Sequence, residues 1–152
     1  YLWIFADNIE ATVGSTVFVI FYLLGGLAAH LGHIIFNPGS VIPTVGASGA
    51  LSAVMGAYLV MFPRSRINGY LFVFRISIPA IFFLLFWFFQ QSMSGYASLG
   101  PETNMSQGGG VAWWAHIGGF VFGVLGGFYF RRNYVIPSHS DGYVSRGEDR
   151  YF

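Results

Sequence analysis

Two side chains that could do chemistry together lie in stretches free of charge. Ser48 sits within Gly46-Ala47-Ser48-Gly49-Ala50, and His116 within Trp113-Trp114-Ala115-His116-Ile117-Gly118-Gly119-Phe120. A serine hydroxyl is a weak nucleophile until a neighbouring base takes its proton, and a neutral imidazole is well suited to that task near neutral pH. The spacing puts them at one depth. Pro63 follows Ser48 by 15 positions, and Arg131 follows His116 by 15. On helices rising 1.5 Å per residue, each would lie roughly 22 Å from its boundary residue. An apolar slab about 30 Å thick leaves both several ångströms below the opposite surface. Ser48 and His116 are therefore the candidate nucleophile and base.

The elements that must hold them are membrane helices. Of 152 residues, 55% are apolar and 9% charged, far from the quarter charged that is usual in soluble domains. No charge occurs in residues 11–63, 76–101 or 103–130. Four apolar segments result, at about Thr12–Phe36, Ser48–Phe62, Ile76–Met93 and Val111–Phe130. Their unbroken apolar character, without the alternation of barrel strands, predicts helices, giving an all-α polytopic transmembrane bundle. Arg64, Arg66 and Arg75 follow the second segment, and Arg131 and Arg132 follow the fourth. Two crossings separate these groups, so both belong on one side, which the positive-inside tendency assigns to the cytoplasm. A plasma membrane of the bacterial inner type is the expected location. Residues 1–132 form the membrane domain in this reading, and 133–152 a polar tail.

Close helix contact is written into the small residues. Ser48, Ser52 and Gly56 recur every fourth position on the second segment, with Gly46 and Gly49 beside the serine. Gly119, Gly123 and Gly127 do the same on the fourth. Such rows let helix backbones approach in lipid, as a proton-transfer distance of about 2.6–3.2 Å requires. Of the six acidic residues, only Glu102 falls in an outer loop; the others belong at the cytoplasmic side or in the tail. A Ser–His dyad without an acidic partner is the expectation, unless Glu102 folds inward.

Other chemistries have less to stand on. The chain has no Cys, which removes disulfides, thiolate metal sites and a cysteine nucleophile. Seven Arg without a cluster give nucleic acid no footing. A lone serine at a helix start is often only a cap. His30, His33 and His116 could suggest haem, but His30 and His33 lie three apart near one helix end. No cofactor or metal is implied, and the lipid bilayer is the expected partner.

These motifs resemble the rhomboid family of intramembrane serine proteases. The likeness rests on GASGA, on Met55-Gly56-Ala57-Tyr58, and on Ala-His-Ile-Gly-Gly-Phe with Gly123 beyond it. The opening Tyr-Leu-Trp-Ile-Phe-Ala-Asp-Asn-Ile-Glu resembles the end of the family's second helix, with Ala6 where Gly is usual. The resemblance covers residues 1 to 131 and implies a six-helix core that cleaves transmembrane substrates. It matches Ser48 to the nucleophile and His116 to the base. It also gives the Ser48 backbone N–H an oxyanion role, with a His and an Asn of the second helix as further donors. Those two would fall before Tyr1, as would the first helix and a Trp-Arg loop. A chain without one such donor is expected to react about 100- to 1,000-fold more slowly. The resemblance makes Ser94–Gly110 a capping loop over the site. A rhomboid-like protein that binds transmembrane helices without cutting them is the alternative.

Overall fold

The computed structural model describes residues 1–38, 47–71, 74–97 and 112–136, with backbone alone for 68–71 and 74–76. The described residues form five helices and one hairpin: α1 (Leu2–Val13), α2 (Ser15–Phe36), α3 (Ser48–Met61), β1 (Arg66–Leu71), β2 (Phe74–Pro79), α4 (Ala80–Ala97) and α5 (Trp113–Asn133). The expected helical bundle is present. Gly46, most of the Ser94–Gly110 loop and Glu102 lie outside the described residues, as does the tail from residue 137. Ser94–Ala97 belong to α4.

α3 is the centre of the bundle. Eleven of its 14 residues are buried, although it is the shortest of the apolar segments. Its neighbours turn their bulk outward instead. Leu23, Leu27, Leu31 and Ile35 of α2, Phe82, Phe86 and Phe89 of α4, and Leu125 and Phe128 of α5 are all exposed. An exterior of large apolar side chains around an interior of small ones is the arrangement lipid favours. By length and hydropathy α2 is the described helix able to cross a bilayer unaided.

The first expected segment is α2 with its start moved from Thr12 to Ser15, because Thr12 and Val13 end α1 and the chain breaks at Gly14, whose φ of 86° and ψ of 153° only glycine adopts readily. The Ser15 hydroxyl donates to the Glu10 carboxylate across the break (2.5 Å). A Cβ at Gly14 would meet no atom within 4 Å, so substitution is opposed by backbone conformation alone. Gly14→Ala is expected to destabilise by about 1–3 kcal/mol, read as a lower unfolding temperature in detergent. An unchanged temperature would mean the break adapts freely.

The third segment also differs from expectation. Residues from Ile76 do not begin a helix; β2 pairs antiparallel with β1 from Arg66↔Pro79 to Leu71↔Phe74, and the helix starts at Ala80. Ile and aromatic residues favour the extended form, and Pro79 holds the residue before it extended. The Ala80 N–H then donates to the Ser65 carbonyl (2.7 Å), tying the start of α4 to the end of the α3 connection. Arg66 donates from Nε to Ser77 Oγ (2.8 Å) and from Nη2 to the Ser77 carbonyl (3.0 Å). The hairpin stands at the arginine-rich end, where Arg131 Nη1 also reaches the Val60 carbonyl (3.4 Å). The two arginine groups thus share one side of the bundle.

Candidate active site

The site begins with how closely α3 and α5 approach. A Cβ added at Gly119 would fall on the Gly49 carbonyl oxygen, one at Gly123 on that of Ala53, and one at Gly127 on that of Ala57 (2.8 Å). Both members of each pair advance by four, so the helices run parallel. The α5 glycine row is met by Gly49, Ala53 and Ala57, not by the expected row of Ser48, Ser52 and Gly56. Gly56 still requires hydrogen in place of a Cβ, which would strike the Phe120 carbonyl. Ser52 is buried and donates to the Ser48 carbonyl (2.8 Å), a bond within its own helix. The serine row lies one position round the helix, which leaves Ser48 at the edge of the α3–α5 seam. α2 runs antiparallel behind them, with Gly25 against Ala53, Ala29 against Gly49 and Gly32 against Gly118.

This register places Ser48 Oγ 2.9 Å from His116 Nε2. Ser48 is the first residue of α3, and the first bond of that helix's ladder runs from the Leu51 N–H to the Ala47 carbonyl (2.9 Å). The N–H groups of Ser48, Gly49 and Ala50 therefore precede the ladder at the positive end of the helix dipole, where negative charge is favoured. His116 stands one turn into α5, its N–H bonded to the Ala112 carbonyl (3.2 Å). Its ring is flanked by Trp87 (centroids 5.9 Å apart) and meets Trp113 edge-on (6.4 Å). Trp114 stacks on Phe36 at 3.9 Å, closing the neighbouring α2–α5 contact.

One member of the site went unread in the sequence. His116 Nδ1 lies 2.7 Å from Gln91 Oε1, and Gln91 is a buried polar residue of α4. An amide oxygen only accepts, so this contact favours the tautomer with the proton on Nδ1, which leaves the Nε2 lone pair facing the Ser48 hydroxyl. The sequence reading places only carboxylates as partners of His116, and Gln91 is an amide. A signal did exist: Ala80, Leu84, Gln91 and Gly95 form the buried face of α4, and an amide on the inward face of a lipid-exposed helix calls for a partner. No cluster of three His, Cys, Asp or Glu able to hold a metal occurs among the described residues.

The model of the Rhomboid domain matches residues 1–133. The chain belongs to the rhomboid family. Among curated relatives, Rhomboid protein 1, mitochondrial, of Saccharomyces cerevisiae is 28% identical over 135 residues, covering 86% of this chain and 36% of that protein. Presenilin-associated rhomboid-like protein A, mitochondrial, of Danio rerio is 28% identical over 131 residues, covering 81% of this chain and 30% of that protein. The chain thus spans about a third of the length of these relatives. No solved structure matches. Rhomboids are integral membrane proteins, in keeping with the apolar exterior of the bundle. Both relatives are named mitochondrial, which gives the expected bacterial inner membrane no support.

Proposed function

We propose that this rhomboid chain carries the catalytic dyad of an intramembrane serine endopeptidase that cleaves transmembrane proteins. The observation that carries the reading is the 2.9 Å contact between Ser48 Oγ and His116 Nε2 at the head of two tightly packed helices. His116 Nε2 takes the hydroxyl proton as Oγ bonds to a peptide carbonyl carbon. The negative charge that forms on the carbonyl oxygen is met by the Ser48 N–H at the α3 start. Collapse of the tetrahedral intermediate breaks the C–N bond, and His116 returns the proton to the departing amine. Water, deprotonated by the same ring, then attacks the Ser48 ester and frees the hydroxyl. Transmembrane segments are the proposed substrate class because the bundle turns an apolar exterior to lipid, the medium in which such segments reside.

The test is cleavage of a single-span model substrate by the full-length protein, together with covalent labelling by an isocoumarin. Cleavage is expected, with the adduct on the Ser48 peptide and both signals lost in Ser48→Ala. Cleavage that survives Ser48→Ala would overturn the assignment. A folded wild-type protein that neither cuts nor labels but binds transmembrane helices would establish the non-catalytic alternative.

A further inference from the structure

We infer that Gln91 is a positioning residue of the site, setting the tautomer and orientation of His116 as a neutral third member beside Ser48. The inference rests on the protease reading and extends it to an amide on a separate helix.

The geometry is a relay of two hydrogen bonds. Gln91 Oε1 accepts from His116 Nδ1–H at 2.7 Å, and His116 Nε2 faces Ser48 Oγ at 2.9 Å. Neutral imidazole has one proton for two nitrogens, and its other tautomer would put N–H towards the serine and leave no base. Orientation of a catalytic imidazole through Nδ1–H is the task a buried carboxylate performs in a Ser–His–Asp triad. An amide oxygen can perform it without placing a charge inside the bundle, where an ionised group is costly. Among the described residues, the groups in hydrogen-bond or ring contact with the imidazole are Ser48 on α3, Gln91 and Trp87 on α4, and Trp113 on α5, none of them charged.

Gln91 is itself firmly held, with 5% of its surface exposed. The same face of α4 meets α5 above and below it. Gly95 packs on Trp113, Trp114 and Ile117, and Phe88 stacks on Phe120 with centroids 4.5 Å apart. The amide is therefore clamped between two fixed contacts. His116 gains an acceptor whose position is set by helix packing, not by a loop.

The experiment compares Gln91→Leu, of similar size but without an acceptor, with Gln91→Glu, which restores one. In the full-length protein, Gln91→Leu is expected to lower kcat about 100-fold with KM little changed, the loss typical of a misplaced catalytic group. Gln91→Glu is expected to recover most of that rate. A packing role alone would instead be satisfied by Leu and disturbed by Glu. A second readout does not depend on turnover: 15N spectra of histidine-labelled protein in the Ser48→Ala background, with His116 assigned by its loss in His116→Ala. The Nδ1–H tautomer is expected with Gln91 and a mixture with Gln91→Leu. Unchanged kcat in Gln91→Leu, or an unchanged tautomer, would overturn the inference. If wild-type protein fails to cleave, the protease reading falls, and the tautomer result alone decides whether Gln91 directs the ring.

Discussion

Ser48→Ala, His116→Ala and the double variant are expected to fall to one common floor, about 10^4- to 10^6-fold below wild-type kcat. In the proposed mechanism the two groups act on one proton. Once either is gone, the other has nothing to give or take, so the second substitution costs almost nothing further. The 2.9 Å contact makes this coupling direct, and both residues lie on helices whose register is fixed by the glycine seam. Single-turnover assays on the three variants, each checked for folding by thermal unfolding, measure it. Losses that multiply in the double variant would show that the two side chains act in separate steps, which the dyad mechanism forbids.

The second large effect lies two helical turns from the chemistry. Gly123→Leu is expected to lower cleavage by at least about 100-fold, because a displacement of an ångström at a catalytic contact costs that much. A Cβ at this position would stand 2.6 Å from the Ala53 carbonyl carbon and 2.7 Å from its Cα. Those are backbone atoms in the middle of α3, and no rotamer change moves them aside. Comfortable carbon contacts need about 3.5–4.0 Å, so α3 and α5 must part by about an ångström. Ser48 and His116 sit on the same two helices and part with them. Overpacking also costs about 1–3 kcal/mol or more, so the unfolding temperature should drop as well. Val121→Leu, on the exposed face of α5, presents the same leucine side chain towards lipid and should leave both measurements unchanged. A Gly123→Leu protein that cleaves at the wild-type rate would mean that the seam does not set the site.

The seam also shows how far helical spacing can be read. The α5 row of Gly119, Gly123 and Gly127 does face α3. Its partner row is Gly49, Ala53 and Ala57, because alanine at a parallel crossing accommodates a glycine backbone as well as serine or glycine would. Small residues make up half of α3, so several rows satisfy the same spacing. Choosing among them requires knowing how the helix is rotated. The hairpin was missed for a related reason: residues from Ile76 are apolar enough for a span, and hydropathy does not separate a short apolar strand from the start of a helix. Gln91 was passed over because the third group was sought among acids.

Covalent order alone determined that this chain belongs in lipid, that it is built largely of helices, and that one hydroxyl and one imidazole could share a depth. Those properties follow from the spacing of charges and the fixed rise of a helix, which are local. Folding in three dimensions decided which faces meet, that Ser48 stands at the edge of the seam, and that an amide from α4 closes on the far nitrogen of His116. These depend on the rotation of each helix about its axis, which is set by the summed contacts of all its neighbours.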